Sequence, residues 1–293
     1  MSQHSADKLL IVNSDDFGIT ERASDAILTC HLAGSVTSTT LMSSMPAADY
    51  AAELARSNPS LGIGLHFNLT LGNPLAGKAS SIVDANGSLP TRRRLVQLAV
   101  TGRLRAEDIY AELEAQYSRI RILGISPTHM DSHQHVHAIP VVFKAFSTFA
   151  SEHKLPIRMP WPWIGTVTGK RFRRRVKERI LSMSLRHCSG MIPPGVRTNS
   201  GFCSVFDLPS LSSEPRIDAY RTLLAPYGHG VVELMVHPAY VDDELKDKTA
   251  ITDISEMESK LLADDTLRRI AEELGFRLGT FRDLQRETFS CVV

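Results

Sequence analysis

Leu9-Leu10-Ile11-Val12 is an unbroken apolar run, and it ends on the polar cluster Asn13-Ser14-Asp15-Asp16. A short apolar run bounded by polar residues reads as a strand buried on both faces, the kind found in parallel sheets. Downstream the pattern turns helical. Thr20 can cap a helix with Glu21 in its first turn, and Gly34 can end it. Residues 36–42 are rich in β-branched side chains and predict a second strand. Pro46 stands where the next helix would begin, and residues 63–69 predict a third strand. Further helices are expected over 106–123 and from Pro140 to residue 153, with helical pattern again over 254–274. Short strands are expected over 128–132 and 157–159, and a stronger one over 231–236. Alternating strands and helices favour a parallel sheet with crossover helices, either doubly wound or closed into a (β/α) barrel. With no repeat, low-complexity tract or linker, residues 1–293 read as one domain.

Composition acts by exclusion. The chain has 33 Lys and Arg against 32 Asp and Glu, so a formal charge of +1 gives no overall pull towards nucleic acid or anionic membranes. Cys30, Cys188, Cys203 and Cys291 are scattered without a Cys-x-x-Cys pair, offering neither a zinc-finger pattern nor a disulfide framework. The amino terminus lacks a charged-then-apolar leader pattern, and no apolar stretch approaches the roughly 20 residues of a membrane span. A cytoplasmic enzyme without stable membrane insertion is the expectation. Residues 71–90, rich in Gly, Pro, Asn and Ser, predict a long loop of the kind that often lies over a binding site.

Four of the eleven histidines fall in Thr128-His129-Met130-Asp131-Ser132-His133-Gln134-His135-Val136-His137. In an extended chain, alternation would put His129, Asp131, His133, His135 and His137 on one side. Imidazole is the commonest protein metal ligand, and a nearby carboxylate can bind the metal or orient a ligand. The cluster follows a predicted strand and precedes a helix, where α/β folds place their sites. A solvated polar turn is the bland alternative, and which histidines bind stays open. Adjacent Asp15 and Asp16 repel unless they share a cation or a proton, although a helix-capping turn also explains them. His66 in Gly64-Leu65-His66-Phe67 and His237 before Pro238 each read, alone, as packed residues or as ligands.

Together the four features lie near the C-terminal ends of predicted strands, which in a parallel barrel share one mouth. An Asp with two His leaves coordination positions open for water and substrate, as a catalytic metal requires. A second carboxylate as base and another histidine as acid would complete a hydrolysis site. The basic stretches Lys170-Arg171-Phe172-Arg173-Arg174-Arg175-Val176-Lys177 and Arg92-Arg93-Arg94 could attract an anion, but also suit solvated helix faces. Pro160-Trp161-Pro162-Trp163 offers aromatic surface for stacking on a sugar ring, or for burial.

Several motifs, in order, carry a family resemblance: Ile11-Val12-Asn13-Ser14-Asp15-Asp16-Phe17-Gly18, Val36-Thr37-Ser38-Thr39-Thr40, Gly64-Leu65-His66-Phe67, residues 127–137, and Glu233-Leu234-Met235-Val236-His237-Pro238-Ala239. From about residue 8 to 284 the chain resembles the YdjC-like carbohydrate deacetylases, which include chitooligosaccharide and hopanoid-associated members. The resemblance implies a single-domain distorted (β/α) barrel related to polysaccharide deacetylases. It implies one divalent metal ion, magnesium or zinc, held by Asp16, His66 and His133. Asp15 would be the general base and His237 the general acid, with His135 and His137 binding substrate or standing behind the ligands. The implied reaction is metal-dependent removal of acetate from an N-acetylated amino sugar. The alternative keeps the site and acts on another amide or a phosphoester. The resemblance is also compatible with a homodimer. The stretch 161–194 matches no pattern of the family.

Overall fold

A computed structural model of the chain describes residues 8–77, 80–165, 172–208 and 217–286, with all side chains of these except 172–178 and 286. The apolar run at Leu9 opens a strand longer than its hydrophobicity announces, because β1 (Lys8–Phe17) carries the polar cluster within it. After it come α1 (Glu21–Leu32), β2 (Ser38–Leu41), α2 (Ala48–Ser57), β3 (Gly62–Phe67), α3 (Arg92–Val100), α4 (Ala106–Ile122), β4 (Met130–Ser132) and α5 (Pro140–Glu152). The second half holds α6 (Phe172–Ser189), β5 (Gly201–Ser204), α7 (Asp218–Leu224), β6 (Gly230–Val236), α8 (Asp243–Lys248), α9 (Thr252–Leu261), α10 (Thr266–Glu273), β7 (Phe276–Gly279) and α11 (Phe281–Arg286). The strands form one seven-stranded parallel sheet in the order β4-β3-β2-β1-β6-β5, with β7 beside the first half of β1. Single-residue parallel bridges, Met130 to Ile157 and Ile157 to Thr198, stitch the β4 edge to the chain entering β5. The sheet therefore curls into a distorted barrel with one lightly stitched seam.

Side-chain alternation sorts each strand into two faces. Leu10 and Val12 pack outward, in one cluster with Ile27 and Cys30 of α1 and Ala51 and Ala52 of α2. Leu9 and Ile11 face inward and meet Val231, Phe281 and Leu284, so α11 plugs the barrel floor. Each such fully buried side chain contributes roughly 1.5–3 kcal/mol. Two residues above the floor, Asn13 Oδ1 meets His129 Nε2 at 3.1 Å, and the His129 ring stacks on Phe281 with centroids 3.8 Å apart. Only glycine fits at Gly64, since a Cβ there would stand 2.5 Å from the His129 ring. Two residues further up are Asp15 on β1 and His66 on β3, and on β6 Val231, Glu233 and Met235 climb in the same steps. The interior is thus apolar at the bottom and ionic at the top.

Most expected elements are present, and α1 is capped as anticipated: Thr20 Oγ1 accepts the Ala23 N–H at 3.1 Å, and Gly34 ends the helix at φ +88°. The extended reading of 129–137 holds only to Ser132. From His133 to Ala138 the chain coils in 3₁₀ turns, with Gln134 and His135 at φ 54° and 52°, which ends the two-sided alternation. Residues 157–159 make a bridge at Ile157 rather than a strand. The helical pattern over 254–274 is broken at residues 262–265, where the Asp264 carboxylate accepts the Thr266 N–H at 2.8 Å and starts α10 afresh. None of the described residues of the loop 71–90 lines the cavity at the barrel mouth. The loop is strapped instead to α4, where Glu112 accepts the N–H groups of Leu75 and Ala76 at 3.0 and 2.8 Å, and Asp108 that of Ser81 at 2.7 Å. Cys30, Cys188 and Cys203 are buried free thiols, and Cys291 lies outside the described residues. No described helix is long and apolar enough to cross a membrane.

Candidate active site

Neighbouring residues of a strand normally point to opposite faces, so Asp15 and Asp16 could not both reach the mouth from a regular strand. A bulge resolves this. Pairing steps from Ser14–Thr39 to Phe17–Leu41, three residues along β1 against two along β2, and Asp16 takes the left-handed conformation at φ 65°. Such a backbone costs on the order of 1–3 kcal/mol for a residue other than glycine, and it is held by the surrounding contacts. Asp16 Oδ1 lies 2.7 Å from His133 Nδ1 and 3.1 Å from His66 Nε2. The three ligand-type atoms fall within 4.8 Å of one another.

His66 is oriented from behind. Its Nδ1 sits 2.6 Å from Asp131 Oδ1 and 3.0 Å from Thr40 Oγ1, while Thr40 donates to Asp131 Oδ2 at 3.1 Å. Its Nε2 is buried without a hydrogen bond of its own, although Asp16 stands nearby. A carboxylate on one imidazole nitrogen, leaving the other free to face a second carboxylate and a second imidazole, suits a divalent cation. Burial works against a charge on His66, but Asp131, Asp16 and Asp15 outweigh it and push the group up to about 10. For Asp16, burial raises the carboxyl, while His133 and His66 pull it further the other way and leave it well below the usual range.

Arg158 was not singled out by the sequence, yet it is the hub of the barrel. Fully buried, it holds Asp15 with both terminal nitrogens, Nη1 to Oδ2 at 2.7 Å and Nη2 to Oδ1 at 2.6 Å. Nη1 also lies 2.7 Å from Asp131 Oδ2, and Nη2 and Nε lie 2.6 and 2.7 Å from Glu233 Oε1. Burial would raise the Asp15 carboxyl, but Arg158, His66 and His237 together hold it below the ordinary range and ionised. Glu233, with Oε2 buried and unpartnered, is pushed up to about 7 by burial despite Arg158. The available signal was a lone charge inside an apolar run, in Pro156-Ile157-Arg158-Met159-Pro160 and again in Val231-Val232-Glu233-Leu234-Met235-Val236.

His237 follows β6, and its Nε2 lies 3.9 Å from Asp15 Oδ2. Its Nδ1 is buried without a partner. Burial lowers the imidazole, and Arg158 and His66 add to that against the pull of Asp15 and Asp16, so it is neutral at pH 7. Its backbone N–H donates to Glu258 Oε2 at 2.5 Å, and Tyr220 donates to Glu258 Oε1 at 3.0 Å. Burial pushes Glu258 up to about 8, against these two hydrogen bonds.

Asp15, Asp16, His66, His133 and His237 all open on one cavity of about 840 Å³. Trp161 and Trp163 wall it, each tied by its indole N–H to a backbone carbonyl, Asn199 at 3.0 Å and Leu223 at 2.9 Å. His135 also lines it, edge-on to Phe202. His137 does not. It is fully buried, hydrogen-bonded through Nδ1 to Ser132 Oγ and stacked on Phe146, and burial with Arg158 nearby pushes it down to about 3. His129 is likewise a packed barrel residue and not part of the mouth. Arg92 and Arg179 reach the cavity wall, whereas the side chains of the basic stretch 170–177 lie outside those described.

The family model for YdjC-like proteins matches residues 9–273. The chain is 34% identical over 278 residues to a chitooligosaccharide deacetylase of Proteus mirabilis (strain HI4320), covering 94% of this chain and 98% of that protein. It is 36% identical over 277 residues to a carbohydrate deacetylase of Geobacillus stearothermophilus, again covering 94% and 98%. A solved structure of an Enterococcus faecalis V583 protein named for cellobiose-phosphate cleavage superposes with a TM-score of 0.75 at 26% identity, covering 95% of this chain and 99% of that one. The chain belongs to the YdjC-like family.

Proposed function

We propose that the protein is a metal-dependent N-deacetylase that releases acetate from an N-acetylated amino sugar. The observation that carries this reading is the grouping of Asp16, His66 and His133 within 4.8 Å, flanked by Asp15 and His237 at a tryptophan-walled cavity. The names of the relatives supply the acyl group and the sugar. One divalent cation, magnesium or zinc, held by Asp16, His66 and His133 would supply Lewis acidity towards the amide carbonyl and the attacking water. The rest belongs to the chain. Arg158 clamps both oxygens of Asp15, so the base is ionised and aimed before substrate arrives. Asp15 Oδ2 takes a proton as water adds to the carbonyl carbon. Asp15 Oδ2 passes that proton to the neutral His237 across 3.9 Å. The imidazolium so formed protonates the amine nitrogen as the C–N bond breaks, giving acetic acid, which ionises to acetate, and the free amine. His135, Trp161 and Trp163 hold the sugar.

The test is acetate release from N-acetylglucosamine oligosaccharides by metal-loaded protein. Asp15→Asn is expected to lower kcat by about 10²–10⁴-fold with metal content unchanged. His133→Ala is expected to lose both metal and activity. Stoichiometric metal with no acetate from any acetylated sugar would discard the substrate class, and turnover of phosphate esters would move the site to phosphoester hydrolysis.

A further inference from the structure

Beside the Asp16, His66 and His133 group stands a second one. Asp15, His66 and Asp131 also offer ligand-type atoms all within 4.8 Å of one another, and all three residues are buried. Two such groups sharing one histidine are the outline of a two-ion site. A guanidinium stands in the second of them, with Arg158 Nη1 2.7 Å from both Asp15 Oδ2 and Asp131 Oδ2. We propose that the Arg158 guanidinium is a built-in replacement for a second cation, and that it fixes the protein at one divalent ion per chain. The inference rests on the reading of Asp16, His66 and His133 as the metal centre.

Charge balance supports it. Three carboxyl groups, Asp15, Asp131 and Glu233, converge on a single guanidinium, and Asp16 stands beside them at His66 and His133, in a water-poor interior where uncompensated charge is expensive. Arg158 and one divalent ion supply three positive charges. The fourth carboxyl is Glu233, whose Oε2 is buried with no partner and whose proton is retained up to about pH 7. The cluster is therefore neutral with one ion and strongly positive with two. Geometry points the same way. A planar fork reaches Asp15, Asp131 and Glu233 at once, which a lysine ammonium could not do. The Nδ1 of His66 is committed to Asp131, leaving Nε2, the orphaned atom, for the ion beside Asp16.

The experiment counts manganese per chain by elemental analysis after saturation and gel filtration. It uses the wild type, Arg158→Met, and the double variant Arg158→Met/Glu233→Gln, each checked for folding by circular dichroism. One ion is expected in the wild type and two in each folded variant. Two ions in the wild type, or one in a folded variant, overturns the proposal. The double variant also removes the carboxyl that loss of Arg158 would leave buried without its partner, and covers the case in which the single variant fails to fold. No ion bound to the wild type would instead remove the metal centre itself.

Discussion

At Asp131 a carboxylate that touches no substrate decides what His66 can do. By taking Nδ1 at 2.6 Å it leaves Nε2 facing Asp16 and His133, and by taking Arg158 it keeps its own charge compensated. Asp131→Asn keeps the shape and loses the charge, so the tautomer of His66 is no longer fixed. A ten- to hundredfold loss of divalent-ion affinity is expected by calorimetric titration, with the circular dichroism spectrum unchanged. Undiminished affinity would take Asp131 out of that role. The residues at strand ends were readable in advance: Asp15, Asp16, His66, His133 and His237 each break an apolar pattern where a barrel places its chemistry. Arg158 and Glu233 break such patterns too, but one step lower, where sequence offers no partner to justify a buried charge. His137 stays off the cavity wall because the chain coils after Ser132, where strand alternation ends.

At the scale of elements, α9 does more than cover β6. Glu258, fully buried, holds the backbone of His237, and Ser255 O accepts the Ala239 N–H at 3.1 Å, so one helix face fixes the residues after the strand. The helical pattern over 254–274 does not mark the break at 262–265 that separates α9 from α10. Glu258 in the folded protein keeps its proton up to about 8, against an ordinary value of 4.5. Between those values the native state binds a proton that the unfolded chain has released. Stability from this group is therefore greatest below pH 4.5, falls as pH rises, and levels off above pH 8. Glu258→Gln keeps an acceptor for His237 and removes the titration. Its stability relative to wild type should rise by about 1.4 kcal/mol per pH unit across that window, read from denaturant melts at pH 5 and 8. A difference independent of pH would show that Glu258 is already ionised in the fold.

For the whole molecule, the near-balanced charge and the alternation of strand and helix were legible from the start, whereas closure of the barrel was not. Closure depends on bridges of one residue at Ile157, too short to leave a strand signature in the sequence. The proposed metal centre, drawing ligands from β1, β3 and the turn after β4, would couple ion binding to global stability. At a free ion concentration a hundredfold above Kd the folded state gains about 2.7 kcal/mol, a rise in Tm of several degrees by calorimetry. His133→Ala should abolish that rise, and a full response in the variant would place the ion elsewhere.

The seam at Ile157 lies next to Arg158, and that adjacency reaches beyond catalysis. Where backbone pairing is sparsest, a single guanidinium spans from its own segment to β1, β4 and β6, as a hub grips its spokes. Acid strong enough to neutralise those carboxylates slackens the hub and the active base in the same stroke. Tryptophan fluorescence and acetate release, followed down an acid series, should fail together. The barrel and its chemistry share one lock, and protons turn it.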